Sequence, residues 1–131
     1  MISYLVVAIN HGRVILLCSL VFVCALGACA HESDMILALR DVQSFDAHEL
    51  GTSPMTIRLS GLAFHSSLAV RNVSVAQNGS SLQVLVHLTP ATAGLSGNFT
   101  YDLVVPESIN TVIFGNEMAV IWRRDAGFVK P

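Results

Sequence analysis

Apolar and polar residues alternate along most of the chain beyond residue 34, and this period of two predicts strands rather than helices. Residues 35–42 and residues 55–62 each predict one strand. Residues 98–106 predict another, which ends at Pro106 because proline cannot donate a ladder hydrogen bond. One face of that strand carries four large apolar side chains, Phe99, Tyr101, Leu103 and Val105.

Residues 68–90 predict a β-hairpin around Asn78 and Gly79. Both central residues of a type I′ turn need a positive φ, which asparagine and glycine tolerate well. A turn at these residues sets two cross-strand pairs, Val75 with Leu82 and Val73 with Val84.

The apolar phase slips within the first strand of this hairpin. Leu68 and Val70 have even numbers, whereas Val73 and Val75 have odd ones. One extra residue near Arg71 and Asn72 restores the phase, so we predict a β-bulge there.

The remaining segments predict one more hairpin and its connections. Residues 109–122 form the hairpin around Gly115 and Asn116, with Ile121 and Trp122 on opposite faces. Residues 43–54 mix turn formers with a few apolar residues and predict a connection that holds at most a short edge strand or one helical turn. Residues 91–97 predict a flexible connection, and the residues after Asp125 predict a tail.

Seven or eight short strands with frequent turns and no convincing helix predict an all-β fold. We expect a small antiparallel β-sandwich of immunoglobulin-like size over residues 35–131. The chain lacks the Cys…Trp…Cys spacing of true immunoglobulin domains, so the likeness concerns architecture alone.

The first thirty residues differ from the rest because they are almost wholly apolar. Residues 14–30 carry no charged side chain, close to the lower length limit for a spanning helix. Arg13 precedes this run, and all three cysteines, Cys18, Cys24 and Cys29, lie within it. The predicted domain therefore has no disulfide and no cysteine metal site.

The run ends in Leu26-Gly27-Ala28-Cys29, which resembles the lipobox of bacterial lipoprotein signal peptides. The resemblance implies that residues 1–28 are a signal peptide and that Leu26, Gly27 and Ala28 occupy the signal-peptidase site. Cys29 becomes the first mature residue and carries the lipid, including acyl chains such as palmitate. Residues 29–34 are then a lipidated tether. Ala30 in place of an aspartate after the cysteine implies an outer-membrane lipoprotein that faces the periplasm.

Other readings of this segment stay open. It fits an inner-membrane anchor or an ordinary secretory signal, and both also place the domain outside the cytoplasm. Three Asn-x-Ser/Thr sequons, at Asn72, Asn78 and Asn98, fit a secreted eukaryotic glycoprotein instead.

Charge and motifs limit the chemistry that the domain can perform. From residue 29 onward the chain has six basic and nine acidic residues, a net charge of −3, which does not suit nucleic acid. His48 lies near Asp46 and Glu49, yet no second histidine cluster supports a metal site, so a solvated loop is the better interpretation. His87 is expected in a strand, on the face opposite Val86. With no nucleophile elbow and no phosphate loop, we predict neither an enzyme nor a cofactor or metal site.

The sequence therefore favours a binding or structural accessory module, held at the membrane by Cys29 and meeting a protein partner of the cell envelope. No small-molecule substrate is inferred. The candidate partner surface comprises Tyr101, Trp122, Arg123 and Arg124, since these residue types are enriched at interface hot spots. Strand edges and residues 43–54 and 91–97 are further contact candidates. The alternative is an inhibitor or immunity-type protein that blocks a hydrolase with a protruding loop.

Overall fold

The computed structural model describes residues 34–130, and these form two packed β-sheets. The predicted all-β sandwich is confirmed, with nine strands rather than seven or eight. The strands are β1 (Met35–Ile36), β2 (Val42–Thr52), β3 (Met55–Ala63), β4 (Leu68–Asn78), β5 (Ser81–Pro90), β6 (Asn98–Val104), β7 (Thr111–Phe114), β8 (Ala119–Arg123) and β9 (Gly127–Phe128). A single turn of 3₁₀ helix, Leu39–Asp41, lies between β1 and β2.

The larger sheet has β5 at its centre. Strand β4 pairs with one edge of β5, whereas β1 and β7 share the other edge, followed by β8 and β9. The β5–β7 pair is parallel and all other pairs are antiparallel. The smaller sheet has the order β2-β3-β6. Strands β2, β4, β6 and β9 are therefore edge strands, and the short β1, which pairs only with β5, also has one open side.

The core lies between the two sheets and is apolar. Alternate residues of β5, from Leu82 to Leu88, and of β3, Ile57 and Leu59, are buried in it. The predicted inward face of β6 is also confirmed: Phe99, Leu103 and Val105 are buried, and Tyr101 packs against them half-buried.

The predicted β-bulge in β4 is confirmed, because Val70 pairs with Leu88 and Asn72 with His87, which leaves Arg71 as the extra residue. The predicted turn was one residue out. Its central residues are Gly79 and Ser80, of which only Gly79 has a positive φ, as in a type II′ turn.

The pairing across this hairpin consequently differs from the predicted one by two residues. Val75 pairs with Val84 and Val73 with Val86. The same faces still meet, because a shift of two residues preserves the alternation.

Two segments near the start of the domain differ from expectation. The strand predicted over residues 35–42 stops at Ile36, because the chain then crosses from one sheet to the other through the 3₁₀ turn. Residues 43–54 are not a loop, since β2 runs through Val42–Thr52. Two register irregularities in β2, with Ser44 at φ 52°, break the alternation that would have revealed the strand.

The last hairpin also departs from a simple alternation. Its connection runs through residues 115–118, and a register shift leaves Ile121 unpaired between Trp122 and Val120. Ile121 and Trp122 are consequently both buried in the core rather than on opposite faces. The predicted tail contributes β9, which pairs with β8.

The sandwich has two distinct ends. The proximal end is where residue 34 lies, since Met35 pairs with Leu88 near the close of β5. Residues 64–67 and residues 91–97 are the loops at this end. The distal end carries residues 105–110 and residues 124–126, which lie beyond the starts or ends of β6, β7 and β8.

Candidate functional site

The four residues of the predicted partner surface do not form one patch. Trp122 is 2% exposed, and Tyr101 packs half-buried against the core from the other sheet. Only Arg123 and Arg124 are exposed. The predicted hot spot depended on an exposed aromatic residue, which the structure does not provide at this place. Of the four predicted residues, the two arginines at the distal end remain as candidates for contact with a partner.

Arg124 is held rigidly against the loop of residues 105–110. Its Nε donates to the carbonyl of Ile109 at 2.8 Å, and its Nη2 donates to the carbonyl of Pro106 at 2.8 Å. Its backbone N–H donates to the carbonyl of Asn110 at 2.9 Å. The planar guanidinium suits this role because its donors are fixed in a fork.

The same guanidinium lies over the ring of Trp122, 5.4 Å from the ring centroid. Cation–π attraction adds to the carbonyl contacts. The indole Nε1 of Trp122 is buried and has no hydrogen-bond partner among the described residues. Trp122 is therefore buried in the core, and the guanidinium of Arg124 packs on its ring. The aromatic residue next to the two arginines positions Arg124 and is not itself exposed to a partner.

A cleft of about 430 Å³ opens beside Arg124 at the distal end. Its lining consists of Asn110, Thr111, Arg123, Arg124 and Asp125. Arg123 is exposed, and within residues 34–130 its side chain makes no hydrogen bond or ion pair. The guanidinium of Arg123 is free to move, whereas that of Arg124 is fixed beside it. A free guanidinium can bind a carboxylate through two parallel hydrogen bonds.

A second, smaller cleft of about 230 Å³ lies between the edge strands β2 and β9. Its apolar walls include Phe45, Ile121 and Phe128. Phe45 reaches across to Phe114 with ring centroids 5.7 Å apart in an edge-to-face arrangement. Its lining comes from both sheets, because Phe45 belongs to β2 and Phe128 to β9.

The outer face of the smaller sheet carries a row of charged side chains. Arg58 donates to both carboxylate oxygens of Asp102, at 2.6 and 2.7 Å. These hydrogen bonds, together with the opposite charge, lower the pKa of the Asp102 carboxyl and raise the pKa of the Arg58 guanidinium. His48 pairs with Arg58 in the sheet and lies 2.7 Å from Asp46.

His48 is thus exposed on a strand and not in the predicted loop. Within residues 34–130 no group of three or more histidine, cysteine, aspartate or glutamate side chains is placed to hold a metal ion.

The outer face of the larger sheet holds three residues that sequence reasoning did not connect. Ser74 Oγ lies 2.7 Å from His87 Nε2, and His87 Nδ1 lies 3.6 Å from Asp34 Oδ2. The bulge at Arg71 was the available signal, because it places Ser74 diagonally across from His87 on the outward face. Through these two contacts His87 links Asp34 to β4, and we interpret the three residues as a brace that ties Asp34 to the larger sheet.

The predicted lipidation and cleavage residues, Leu26, Gly27, Ala28 and Cys29, lie outside the described residues. Among residues 34–130, no helix has the length and apolar character needed to cross a bilayer. Comparison of the chain with protein-family models, curated proteins and solved structures gives no match.

Proposed function

We propose that this protein is a membrane-anchored lipoprotein of the bacterial cell envelope that acts as a binding module facing the periplasm. The lipobox-like Leu26-Gly27-Ala28-Cys29 supports the anchor, because small residues before a cysteine suit the peptidase and the thiol accepts the lipid. A lipidated terminus with more than one acyl chain holds a membrane stably, whereas a single chain does so only marginally.

The observation that carries the binding role is the distal cleft with its two arginines. Arg124 is already fixed by two backbone carbonyls, so little of its conformational entropy remains to be lost on binding. Arg123 has no side-chain hydrogen-bond partner in the described part of the chain and supplies the free fork. Arg124 adds its positive charge and its Nη1 donors, because its Nε and Nη2 already donate to carbonyls. The ligand of this cleft is a carboxylate on the surface of a partner protein.

The other lining residues make the cleft selective. Asp125 places a negative charge beside the two positive ones, which disfavours a ligand that offers only clustered acidic groups. Asn110 and Thr111 add an amide and a hydroxyl that can bond to a partner backbone. A partner segment with one acidic residue next to a polar or basic one fits this arrangement.

The binding role is tested by site-specific photo-crosslinking in the envelope of the producing cell. The full-length protein carries the crosslinker in place of Thr111 at the cleft, or in place of Thr100 on the outer face of the smaller sheet as the control position. We expect a crosslinked partner peptide containing an acidic residue from the Thr111 position only.

Charge reversal completes the test. Arg123→Glu should abolish the crosslink, and a basic residue in place of the partner's acidic residue should restore it. Arg71→Glu makes the same change of charge at the bulge of β4 and should leave the crosslink intact. A crosslink that survives Arg123→Glu would show that the cleft is not the binding site.

A further inference from the structure

We propose that the proximal end of the sandwich rests on the lipid surface, with the side chains of Phe64 and Leu95 placed in the interfacial region of the bilayer. This inference rests on the proposed lipid anchor at Cys29. It adds an orientation: the proximal loops face the membrane and the arginine cleft faces away from it.

The first observation is the exposure of large apolar side chains at this end. Phe64 is 67% exposed, the highest value among the exposed large hydrophobic residues of the described chain, and Leu95 is 44% exposed. Met35, which begins β1 at the same end, is 38% exposed. Single exposed apolar side chains are common, but several on adjoining loops form an apolar patch, and such a patch marks a surface that contacts another apolar phase.

The second observation is that the loops carrying these residues are tied together. The N–H of Ala63 donates to the carbonyl of Gly97 at 2.8 Å, and the N–H of Ala91 donates to the carbonyl of Ser67 at 2.9 Å. The N–H of Val70 donates to the carbonyl of Ser96 at 2.9 Å. Phe64 and Leu95 are therefore presented from one preformed surface, so little ordering is needed when it meets a membrane.

The third observation is the absence of formal charge from both loops. Residues 64–67 read Phe-His-Ser-Ser and residues 91–97 read Ala-Thr-Ala-Gly-Leu-Ser-Gly. Neither loop contains aspartate, glutamate, lysine or arginine, so insertion of the two loop tips desolvates no charge of their own. Two charges close to them, Asp34 and Asp41, belong to the segment that precedes β2. At the distal end, by contrast, the loop of residues 124–126 itself carries Arg124 and Asp125.

The fourth observation is the place where the chain joins the domain. Met35 pairs with Leu88, so residue 34 lies at the same end as the two loops. Five residue steps separate Cys29 from Asp34, and a fully extended chain of that length spans on the order of 17 Å. An acylated Cys29 thus keeps the proximal end near the bilayer, where interfacial side chains bury themselves by about 5–10 Å.

The test measures contact between chosen positions and lipid in the mature full-length protein. The protein is reconstituted into vesicles of phosphatidylethanolamine and phosphatidylglycerol that contain brominated acyl chains, which quench tryptophan within the bilayer. Phe64→Trp places a reporter at the proximal end. Val104→Trp is the matched control, because Val104 is 54% exposed at the distal close of β6.

We expect brominated lipid to reduce the added Phe64→Trp emission by about half or more, as for a ring at interfacial depth. Emission from Val104→Trp and from Trp122 of the parent protein should remain unchanged. A protein that floats with the vesicles while Phe64→Trp escapes quenching would overturn the membrane contact and leave the anchor standing. A protein that does not float with the vesicles would overturn the anchor itself, and with it this inference.

Discussion

The guanidinium of Arg124 lies 5.4 Å from the centroid of the Trp122 ring, so a cation from the surface rests on an aromatic side chain of the core. The same guanidinium bonds to the carbonyls of Pro106 and Ile109. These contacts join the end of β8 to the loop before β7. The distal cleft is therefore built on the packed core.

Replacement of Arg124 by alanine should lower the free energy of unfolding by about 2 kcal/mol, because two charge-assisted hydrogen bonds and the cation–π contact are lost. Arg123→Ala is the control and should change stability by less than about 0.5 kcal/mol, as expected for an exposed side chain without partners. Urea denaturation of both variants measures the difference. Equal losses for the two arginines would contradict the assigned roles.

Gly115 should tolerate alanine poorly for two separate reasons. Its φ is +68°, and a Cβ at this position would lie 2.9 Å from the carbonyl oxygen of Leu37. The left-handed backbone alone costs about 1–2 kcal/mol for an L-residue with a side chain. Gly127 has a similar φ of +76° but open space around the added Cβ, so Gly127→Ala isolates the backbone cost.

We expect Gly115→Ala to be the more destabilising of the two variants in thermal or chemical unfolding. If Gly127→Ala costs as much, the close approach between Leu37 and Gly115 does not constrain the fold.

The Arg58–Asp102 pair should give the domain a stability component that disappears in acid. The pKa of the Asp102 carboxyl is lower in the folded than in the unfolded chain, because Arg58 donates two hydrogen bonds to it. The contribution is therefore fully present above the ordinary aspartate pKa of about 3.9, and it is lost as the pH falls through the lower folded value.

The parent protein and Asp102→Asn should accordingly differ by a constant free energy of unfolding at neutral pH. This difference should become smaller as the pH falls below about 3.9 and through the lower pKa of folded Asp102. Carboxyl chemical shifts followed by NMR provide the direct measurement. Arg58→Gln should move the Asp102 titration upward toward its ordinary pKa. An unchanged titration in Arg58→Gln would show that another group lowers the Asp102 pKa.

Ser74 should contribute to stability through its contact with His87. Ser74→Ala removes a 2.7 Å part-buried hydrogen bond and leaves a ring nitrogen of His87 without that partner, which should cost about 1 kcal/mol. Ser81 is also half-buried in the larger sheet, and its hydroxyl has no side-chain hydrogen bond among the described residues, so Ser81→Ala should cost less. Guanidinium unfolding of the two variants compares them, and a neutral Ser74→Ala would argue against a brace.

The sequence predicts the regular parts of this fold well because alternation reports burial directly. Strands β3 and β6 and the bulge at Arg71 follow from the apolar phase alone. Strand β2 escapes this reasoning, since its two irregularities interrupt the period. The local pattern also fails to predict that Ile121 and Trp122 are both buried. Their burial depends on a register shift in the pairing of β8 with β7, which the sequence of β8 alone does not show.

The candidate site is only half predictable from the sequence. Two arginines that directly follow Trp122 indicate a candidate surface for a protein partner, and both arginines are exposed at the distal end. The sequence cannot reveal that Trp122 turns inward, nor that Arg124 is bound to carbonyls of residues 106 and 109, because those contacts depend on how the loop of residues 105–110 folds back.

The proposed anchor is tested most directly by the mass of the N-terminal peptide of the protein, isolated from the membrane fraction of the cells that produce it. We predict a peptide that begins at Cys29 and carries the mass of a diacylglyceryl group and acyl chains, with radiolabelled palmitate incorporation lost in Cys29→Ala. A mature chain that begins elsewhere, or that retains an unmodified Cys29 thiol while still bound to the membrane, would contradict the account.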